Sequence, residues 1–298
     1  MQPGLYRVNK PVGTTSFSVV RAFRDEAARL GLARQLPVCH AGALDPFAEG
    51  LLLILVGHAC KLMDRHHSAP KHYRATVAWG RETDTGDAAG RTAFEGPASA
   101  LDPSAIDAAL GRFVGWTEQI PPATSNKRVD GERAYLKAHR GEAVTLPPCR
   151  VYLHAARFVN HALPGQSTLE LCCAGGYYVR ALARDLGRTL GCGAHLRALR
   201  RTRIGPWDCP PPGARPHHAG AELLPWLPSR ALTDDESIAV EQGKDISVGE
   251  VEPPAFPLPT GFPSAGPELR ALHRGRLVAL LAPRDGGLAV SLALRGGL

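Results

Sequence analysis

The stretch from Cys209 to Pro216 limits the fold of this chain more than any other segment. It reads CPPPGARP, and its four prolines cannot donate the backbone hydrogen bonds that a helix interior or a central strand needs. Dense hydrophobic periodicity runs up to about residue 205, so a change of architecture is predicted at this stretch. We therefore predict two domains, residues 1–228 and a small C-terminal module of residues 229–298.

Strands and helices are mixed in the first domain rather than strictly alternating. From His72 to Trp79 two sets of residues alternate, as is typical of a strand with one buried face: Tyr73, Ala75, Val77 and Trp79 against His72, Arg74, Thr76 and Ala78. Asp102 followed by proline predicts a helix start, because aspartate caps helices and proline fits their first turn. The apolar stripe of this helix is predicted to be Ile106, Leu110 and Phe113.

A second strand is predicted from Thr168 to Cys173, where it meets a turn with two glycines. Apolar residues then recur at helical spacing from Val179 to Leu190, and this helix has Arg180 in its first turn. The closing segment, Leu269 to Leu294, alternates apolar and polar residues as short strands do. The C-terminal module is therefore predicted to be rich in β-strands.

Charge and motifs narrow the class of protein. With 35 Lys and Arg against 28 Asp and Glu, the formal charge is +7, which favours a polyanionic partner. Seven cysteines without a CxxC pair indicate reduced thiols in a cytosol. Met1–Lys10 has no signal-peptide core and Leu51–Val56 is too short to cross a bilayer, so we expect a cytoplasmic protein without a membrane partner. GxGxxG, GxxxxGK[ST] and HExxH motifs are absent from the sequence, so no cofactor or metal is expected.

The segment from His40 to Gly50 is the first candidate for chemistry. Its glycines and its proline predict a tight loop that holds Asp45 just before the apolar run Leu51–Val56. Taken by itself, an aspartate before a proline is more simply interpreted as the start of a turn, so the loop alone does not assign chemistry to Asp45.

This loop, CHAGALDPFAEG, resembles the GHTGTLDPxAxG signature of the TruB-type pseudouridine synthases. Four further segments resemble the same family in the same order. They are KPVGTTS at Lys10–Ser16, KHYRA at Lys71–Ala75 followed by RETDTGDAAG, IPPATSNKRVDGERAY at Ile120–Tyr135, and CAGGYYVRALARDLG at Cys173–Gly187 continued by CGAHLRALRRTRIG at Cys192–Gly205. Five segments in the same order over about two hundred residues are a specific sign of resemblance to this family.

The resemblance implies that Asp45, Tyr73 and Arg180 are catalytic. A carboxylate suits cleavage of an N-glycosidic bond, because it can attack C1′ or stabilise a cationic sugar there. Tyr73 corresponds to the tyrosine that stacks on the flipped uracil and whose hydroxyl removes a sugar proton in the glycal mechanism. From its strand position alone it would be a core tyrosine. Arg180 corresponds to the arginine that pairs with the aspartate and favours its ionised form.

The resemblance also implies a set of substrate-binding residues. His40 corresponds to the histidine that enters the T loop when bases are displaced, a step that costs roughly a few kcal/mol of stacking. Leu199 corresponds to an apolar residue beneath the target base, and Lys10 belongs to a motif that supports the floor of the active site. The whole set is His40, Leu199, Lys10, Gly42, Tyr178, Arg128, Arg200 and Arg201.

The span from Arg180 to Arg203 contains seven arginines and one acidic residue, so it carries a net charge of +6. Phosphates are the natural partners of such a span. Arg184 and Arg188 could be no more than a solvated face, whereas Arg197, Arg200, Arg201 and Arg203 lie where the family grips RNA. The chain departs from the family pattern at Gly175, where a lysine is usual, and at residues 123–128, which replace the MYSAxK run.

The resemblance implies an α+β fold, in which helices flank a mixed and largely antiparallel sheet, with a PUA-like module of residues 229–298. It implies isomerisation of uridine 55 in the T arm of tRNA to pseudouridine, with no obligate protein partner. A guide-dependent rRNA pseudouridine synthase shares the catalytic segments, but a KPVG motif that starts at residue 10 favours a stand-alone enzyme. A non-catalytic RNA-binding or tRNA-folding protein would not need Asp45, Tyr73 and Arg180 together.

Overall fold

The computed structural model describes residues 1–32, 36–125, 127–129, 131–263, 266–294 and 296–298. The chain forms two compact units, which differ from a simple N-terminal and C-terminal division. The first unit contains Met1–Pro70 together with Arg203–Leu298, and the second contains Lys71–Thr202. The division at residue 228 stays a prediction.

Strands predominate in the described residues. In chain order they are β1 (Gly4–Lys10), β2 (Val38–His40), β3 (Glu49–Val56), β4 (Lys71–Trp79), β5 (Arg81–Thr83), β6 (Thr92–Glu95), β7 (Gly115–Gln119), β8 (Arg128–Val129), β9 (Glu132–Arg133), β10 (Cys149–Ala162), β11 (Gln166–Cys173), β12 (Ala194–Ile204), β13 (Trp207–Asp208), β14 (His217–His218), β15 (Ser229–Ala231), β16 (Leu269–His273), β17 (Arg276–Arg284) and β18 (Gly287–Ala293). The helices are α1 (Ser16–Arg29), α2 (Met63–Ser68), α3 (Pro103–Gly111), α4 (Ala134–His139), α5 (Val179–Thr189) and α6 (Asp234–Glu241), with 3₁₀ turns at Gly57–Leu62 and Gly220–Glu222.

In the first unit, strands β14, β1, β3 and β2 pair side by side in antiparallel fashion. Strand β3 is the centre of this unit, and Leu51–Val56 are fully buried. Leu52, Ile54 and Val56 pack against α1, whereas Leu51, Leu53 and Leu55 pack into a second cluster on the other face. Because both faces of the strand are covered, the run is apolar at every position rather than at every second one.

The C-terminal strands form a sheet in the order β15, β16, β17 and β18, in which only the β15–β16 pair is parallel. Val278, Ala279 and Leu281 of β17 belong to a cluster with residues of α6, whereas Leu277 and Leu280 join the cluster that holds Leu53 and Leu55. The predicted β-rich C-terminal part is confirmed. Its hydrophobic packing is continuous with that of β3, and its PUA-like character stays a prediction.

In the second unit the strand order is β12, β4, β11, β10 and β7. The β4–β11, β11–β10 and β10–β7 pairs are antiparallel. Helix α5 buries Val179, Leu182 and Leu186, so the predicted strand, glycine turn and helix are confirmed. The expected mixed, largely antiparallel sheet with flanking helices is therefore also confirmed.

Helix α3 begins as predicted, because the Asp102 side chain accepts a hydrogen bond from the Ala105 N–H. The helix ends at Gly111, and the prediction that Phe113 belongs to its apolar stripe was wrong. Phe113 lies in the turn that follows, where its N–H donates to the Leu110 carbonyl at 3.0 Å. Ile106 and Leu110 supply the buried side of this short helix.

All seven cysteines lie in the described part of the chain, and each is a free thiol. Among the helices of the described residues, none is both long enough and apolar enough to span a membrane.

Candidate active site

The register of two strands in the first unit sets the position of the Asp45 loop. Strand β1 pairs with β3 so that Lys10 lies opposite Gly50. The connection that leaves β1, residues 11–15, therefore starts beside the point where the loop of residues 41–48 enters β3. Two sequence segments that are about thirty residues apart are thus brought to the same edge of the sheet.

Hydrogen bonds lock these two segments together. The buried Ser16 hydroxyl accepts from the Leu44 N–H at 2.8 Å and donates to the Leu44 carbonyl at 3.1 Å. The Gly13 N–H donates to the Pro46 carbonyl at 2.8 Å. Within the loop, the Ala48 N–H donates to the Asp45 carbonyl at 3.1 Å, which closes a turn around Asp45. The half-buried Asp45 is therefore held by backbone that is fixed on both sides.

Lys10 is fully buried, and its Nζ donates to the Pro11 and Thr14 carbonyls at 3.0 and 2.7 Å. This arrangement shapes the connection that contacts the Asp45 loop. The ammonium bonds to its own loop, and the predicted contact of Lys10 with substrate stays a prediction. We therefore assign Lys10 to the support of the loop.

His40 is the last residue of β2 and pairs with Ile54. Gly42 is buried and has a φ of 101°, a backbone conformation that side-chain-bearing residues rarely adopt. The glycine therefore lets the chain turn from β2 into the Asp45 loop. Its predicted substrate contact stays a prediction, as does that of His40, which is half-buried.

Tyr73 lies on β4 in the second unit, where Lys71, Tyr73, Ala75, Val77 and Trp79 are buried and the residues between them are more exposed. The predicted alternation is confirmed. Arg201 Nη1 lies 3.4 Å from the Tyr73 hydroxyl, and its guanidinium carbon lies 6.0 Å from the centre of the tyrosine ring. Tyr73 is thus a buried tyrosine whose hydroxyl has a cationic neighbour.

Arg201 itself is 1% exposed, although sequence analysis placed it among the RNA-binding arginines. The side chain faces the same side of β12 as the buried Leu199, and its contact with RNA stays a prediction. The two residues are two positions apart, so their shared direction follows from strand geometry. The guanidinium is therefore a neighbour of Tyr73 rather than a surface charge.

Lys71 is a component of this region that sequence analysis did not single out. Its side chain is buried, and loss of hydration, with a smaller contribution from Arg201, lowers the pKa of its ammonium to about 7. Burial raises the pKa of the neighbouring Cys173 thiol to about 12, so that residue stays neutral. The sequence does contain a signal for Lys71: it lies two residues before Tyr73, so both side chains are on the same face of the strand.

Arg180 lies in the first turn of α5, as predicted, and is 4% exposed. Its Nη1 donates to the Thr85 carbonyl at 2.8 Å and to the Thr124 hydroxyl at 2.6 Å. The Asp87 carboxylate lies 3.8 Å from Nη1 and also accepts from the Thr85 hydroxyl and the Ala89 N–H. These contacts fix the direction of the guanidinium.

Tyr178 occupies the N-cap position of α5. The Gln119 side chain accepts from the Tyr178 N–H at 3.0 Å and donates to the Tyr178 carbonyl at 3.2 Å. This pair of bonds attaches the end of β7 to the start of α5. The backbone of Tyr178 therefore has a structural role, and its substrate contact stays a prediction.

The arginine-rich span does not form one continuous charged surface. Arg184 pairs with Asp185, and Arg188 forms two hydrogen bonds to Glu82. Arg197 is exposed and Arg200 is half-buried, so these two remain candidates for phosphate contact. Arg128 is also exposed, and its Nη1 donates to the Gly131 carbonyl at 2.9 Å. Residues 126 and 130 of the same segment lie outside the described residues.

The described residues contain no group of three or more His, Cys, Asp or Glu that could hold a metal ion. The chemistry that they offer is that of a fixed carboxylate, a buried tyrosine and a fixed guanidinium. Groups of these kinds can serve as acid, base or electrostatic catalysts, and their catalytic roles stay predictions.

A similar fold occurs in a crystal structure of a Cbf5–Nop10–Gar1 complex. The TM-score is 0.66 at 20% sequence identity, and the match covers 98% of this chain and 84% of the matched chain. This likeness shows the fold alone.

Two family models match consecutive parts of the sequence. The TruB family pseudouridylate synthase N-terminal domain matches residues 31–179, and the tRNA pseudouridylate synthase B C-terminal domain matches residues 180–212. The chain therefore belongs to the TruB family of pseudouridylate synthases, as its sequence motifs indicated.

Proteins named tRNA pseudouridine synthase B are among its relatives. The one from Arthrobacter sp. (strain FB24) is 36% identical over 96% of this chain and 94% of its own length. The one from Rhodopseudomonas palustris is 45% identical over 67% of this chain but only 53% of its own length. The chain thus spans about half the length of some relatives that it matches and nearly all of another.

Proposed function

We propose that this chain isomerises uridine 55 in the T arm of tRNA to pseudouridine, with Asp45 as the catalytic carboxylate and without a cofactor. Family membership and the names of the relatives support the reaction and the substrate class. The observation that carries the proposal is the interlocking of the Lys10–Ser16 segment with the Asp45 loop through Ser16, Leu44 and Pro46. A carboxylate with a catalytic role needs such a fixed support.

The reaction breaks the bond between N1 of uracil and C1′ of the ribose and forms a bond between C5 and C1′. The proton on C5 is lost to solvent, and N1 gains a proton, so the product is an isomer of the substrate. Asp45 acts by attack on C1′ or by stabilising positive charge there, and either role requires its ionised form. Tyr73 is proposed to stack on the uracil and to move a sugar proton, and Arg180 to favour the ionised carboxylate.

Binding of the RNA is proposed to rest on phosphate contacts and on the fit of the T arm. Among the predicted RNA-contacting arginines, the side chains that are not buried are those of Arg128, Arg197, Arg200 and Arg203. His40 and Leu199 are proposed to contact the bases, together with Gly42 and Tyr178. Each phosphate contact should lower the slope of log affinity against log salt by roughly 0.7 to 0.9.

The experiment is tritium release from tRNA transcribed with uridine labelled at C5. The purified protein should release about one tritium per tRNA in the presence of EDTA, since no metal is involved. A matched tRNA with cytidine at position 55 should release none. Release from the cytidine-substituted tRNA would contradict the assignment to position 55, and no release from either RNA would contradict the proposed reaction.

A further inference from the structure

Thr124 contacts the proposed catalytic arginine through two of its atoms. Its hydroxyl oxygen accepts from Arg180 Nη1 at 2.6 Å, and its carbonyl oxygen lies 3.4 Å from Arg180 Nη2. A hydrogen bond from a guanidinium is charge-assisted, and the 2.6 Å separation is short for this type. Because Arg180 is 4% exposed, little bulk water is available to replace this acceptor.

The backbone that carries Thr124 is fixed relative to α5. The Ser125 N–H donates to the Pro122 carbonyl at 3.0 Å, which closes a turn with Thr124 inside it. Gln119 bonds twice to the backbone of Tyr178, and Arg184 Nη2 donates to the Ile120 carbonyl at 3.0 Å. The backbone that presents the hydroxyl to Arg180 is therefore closed into a turn and joined by hydrogen bonds to α5 just before that turn.

The opposite side of Arg180 is bounded by the loop that follows β5. Nη1 bonds to the Thr85 carbonyl, and the Asp87 carboxylate lies 3.8 Å away. Gly86 backs the side chain so closely that a Cβ at this position would lie 3.2 Å from the Arg180 Cβ. The Thr85 carbonyl and the Thr124 hydroxyl thus hold the same nitrogen from two separate segments, and together they set the plane of the guanidinium.

Position 124 is also where the sequence departs from its family. Residues 123–128 replace the MYSAxK run, so Thr124 takes the place of the tyrosine. A short aliphatic hydroxyl thus stands here in place of the tyrosine of the usual motif.

We propose that Thr124 is a positioning residue for the pseudouridine synthase reaction, because its hydroxyl fixes the orientation of the Arg180 guanidinium. This inference rests on the proposed function. It predicts that Thr124 affects the chemical step more than the binding of RNA, since binding depends mainly on phosphate contacts elsewhere.

The test compares Thr124→Val, which keeps the shape but removes the acceptor, with Thr124→Ser, which keeps the acceptor. Thr124→Ala is a second variant without the acceptor, in case the valine protein does not fold. Turnover and KM are measured by tritium release from a T-arm stem-loop, and RNA affinity by filter binding. The exposed Thr92→Val in the second unit is the matched control.

Loss of a hydrogen bond to a charged group should lower kcat roughly tenfold to a hundredfold in Thr124→Val, with KM and RNA affinity changed by less than about threefold. Thr124→Ser should recover most of kcat. Wild-type kcat in a folded Thr124→Val or Thr124→Ala protein would overturn the inference, and so would a serine variant as slow as the valine variant. If the Thr124→Val or Thr124→Ala protein turns over as fast as an active wild type, only the role of Thr124 is overturned, and the proposed function stands. An inactive wild type would overturn the proposed function as well.

Discussion

Replacing Lys71 with methionine should change how the stability of this protein depends on pH. Lys71 is the first residue of β4, on the same buried face as Tyr73. Burial, and to a smaller extent the charge of Arg201, lowers the pKa of its ammonium from 10.5 to about 7. Methionine fills a similar volume without a charge, so Lys71→Met removes this titration and leaves the packing of the strand nearly unchanged.

The sign of the effect follows from the number of protons bound in each state. Between pH 7 and 10.5 the unfolded chain keeps the Lys71 proton that the folded chain has lost, so the free energy of unfolding rises with pH. The pKa of Lys71 is 10.5 in the unfolded chain and about 7 in the folded chain, and each pKa unit corresponds to about 1.4 kcal/mol. The full effect on the free energy of unfolding is therefore on the order of 5 kcal/mol. Because the folded state is about half titrated at pH 7, roughly 2 kcal/mol of it falls between pH 7 and 9. Below pH 7 both states carry the proton, and the contribution is constant.

The assay is denaturant unfolding of wild type, Lys71→Met and the exposed control Lys244→Met at pH 7 and pH 9. Unfolded thiols already begin to ionise below pH 9, whereas burial raises the pKa of Cys173 to about 12, but all three proteins carry the same thiols, so this contribution cancels in the comparison. Wild type and the control should gain about 2 kcal/mol more than Lys71→Met between these pH values. The methionine variant should also be the more stable protein at pH 7. An equal gain in all three proteins would refute the buried-ammonium account.

Three further outcomes are expected. Tyr73→Phe keeps the ring but removes the hydroxyl beside Arg201, so turnover should fall by about a hundredfold or more while filter binding of tRNA is retained; normal turnover would exclude the hydroxyl as the base. Ser16→Ala removes both bonds to Leu44, so thermal melting should show a loss of about 2 kcal/mol together with slower turnover, and an unchanged melting curve would contradict the locked-loop description. Removing residues 229–298 uncovers the cluster shared with β3 and should lower the unfolding midpoint in circular dichroism, whereas full-length stability would show that the two parts are independent.

Features that depend on neighbouring residues in the sequence were predictable. The alternation of β4, the helix cap at Asp102 and the position of Arg180 in the first turn of α5 each follow from a few adjacent side chains. The end of α3 was the exception: the spacing of Phe113 fits the apolar stripe, but the chain leaves the helix at Gly111, a residue type that is common at helix ends. Such short-range rules do not fix the end of a helix within a turn.

Features that depend on distant partners were not predictable in the same way. Arg201 is one of several arginines in a basic run, and its burial depends on a tyrosine that is 128 positions away in the sequence. The buried Lys71 and the contact between Thr124 and Arg180 likewise arise from pairing of separate segments. The composition gives only the number of charged residues, and it does not show that the fold buries Arg201, Lys71 and Arg180.

The central claim is that Asp45 performs chemistry rather than shaping a loop. Asp45→Asn keeps nearly the same size and removes the charge, so tritium release from C5-labelled tRNA should become undetectable while filter binding of the same RNA is retained. Asp64→Asn, at an exposed position of α2, is the matched control and should release tritium as wild type does. Wild-type release by a folded Asp45→Asn protein would contradict the account.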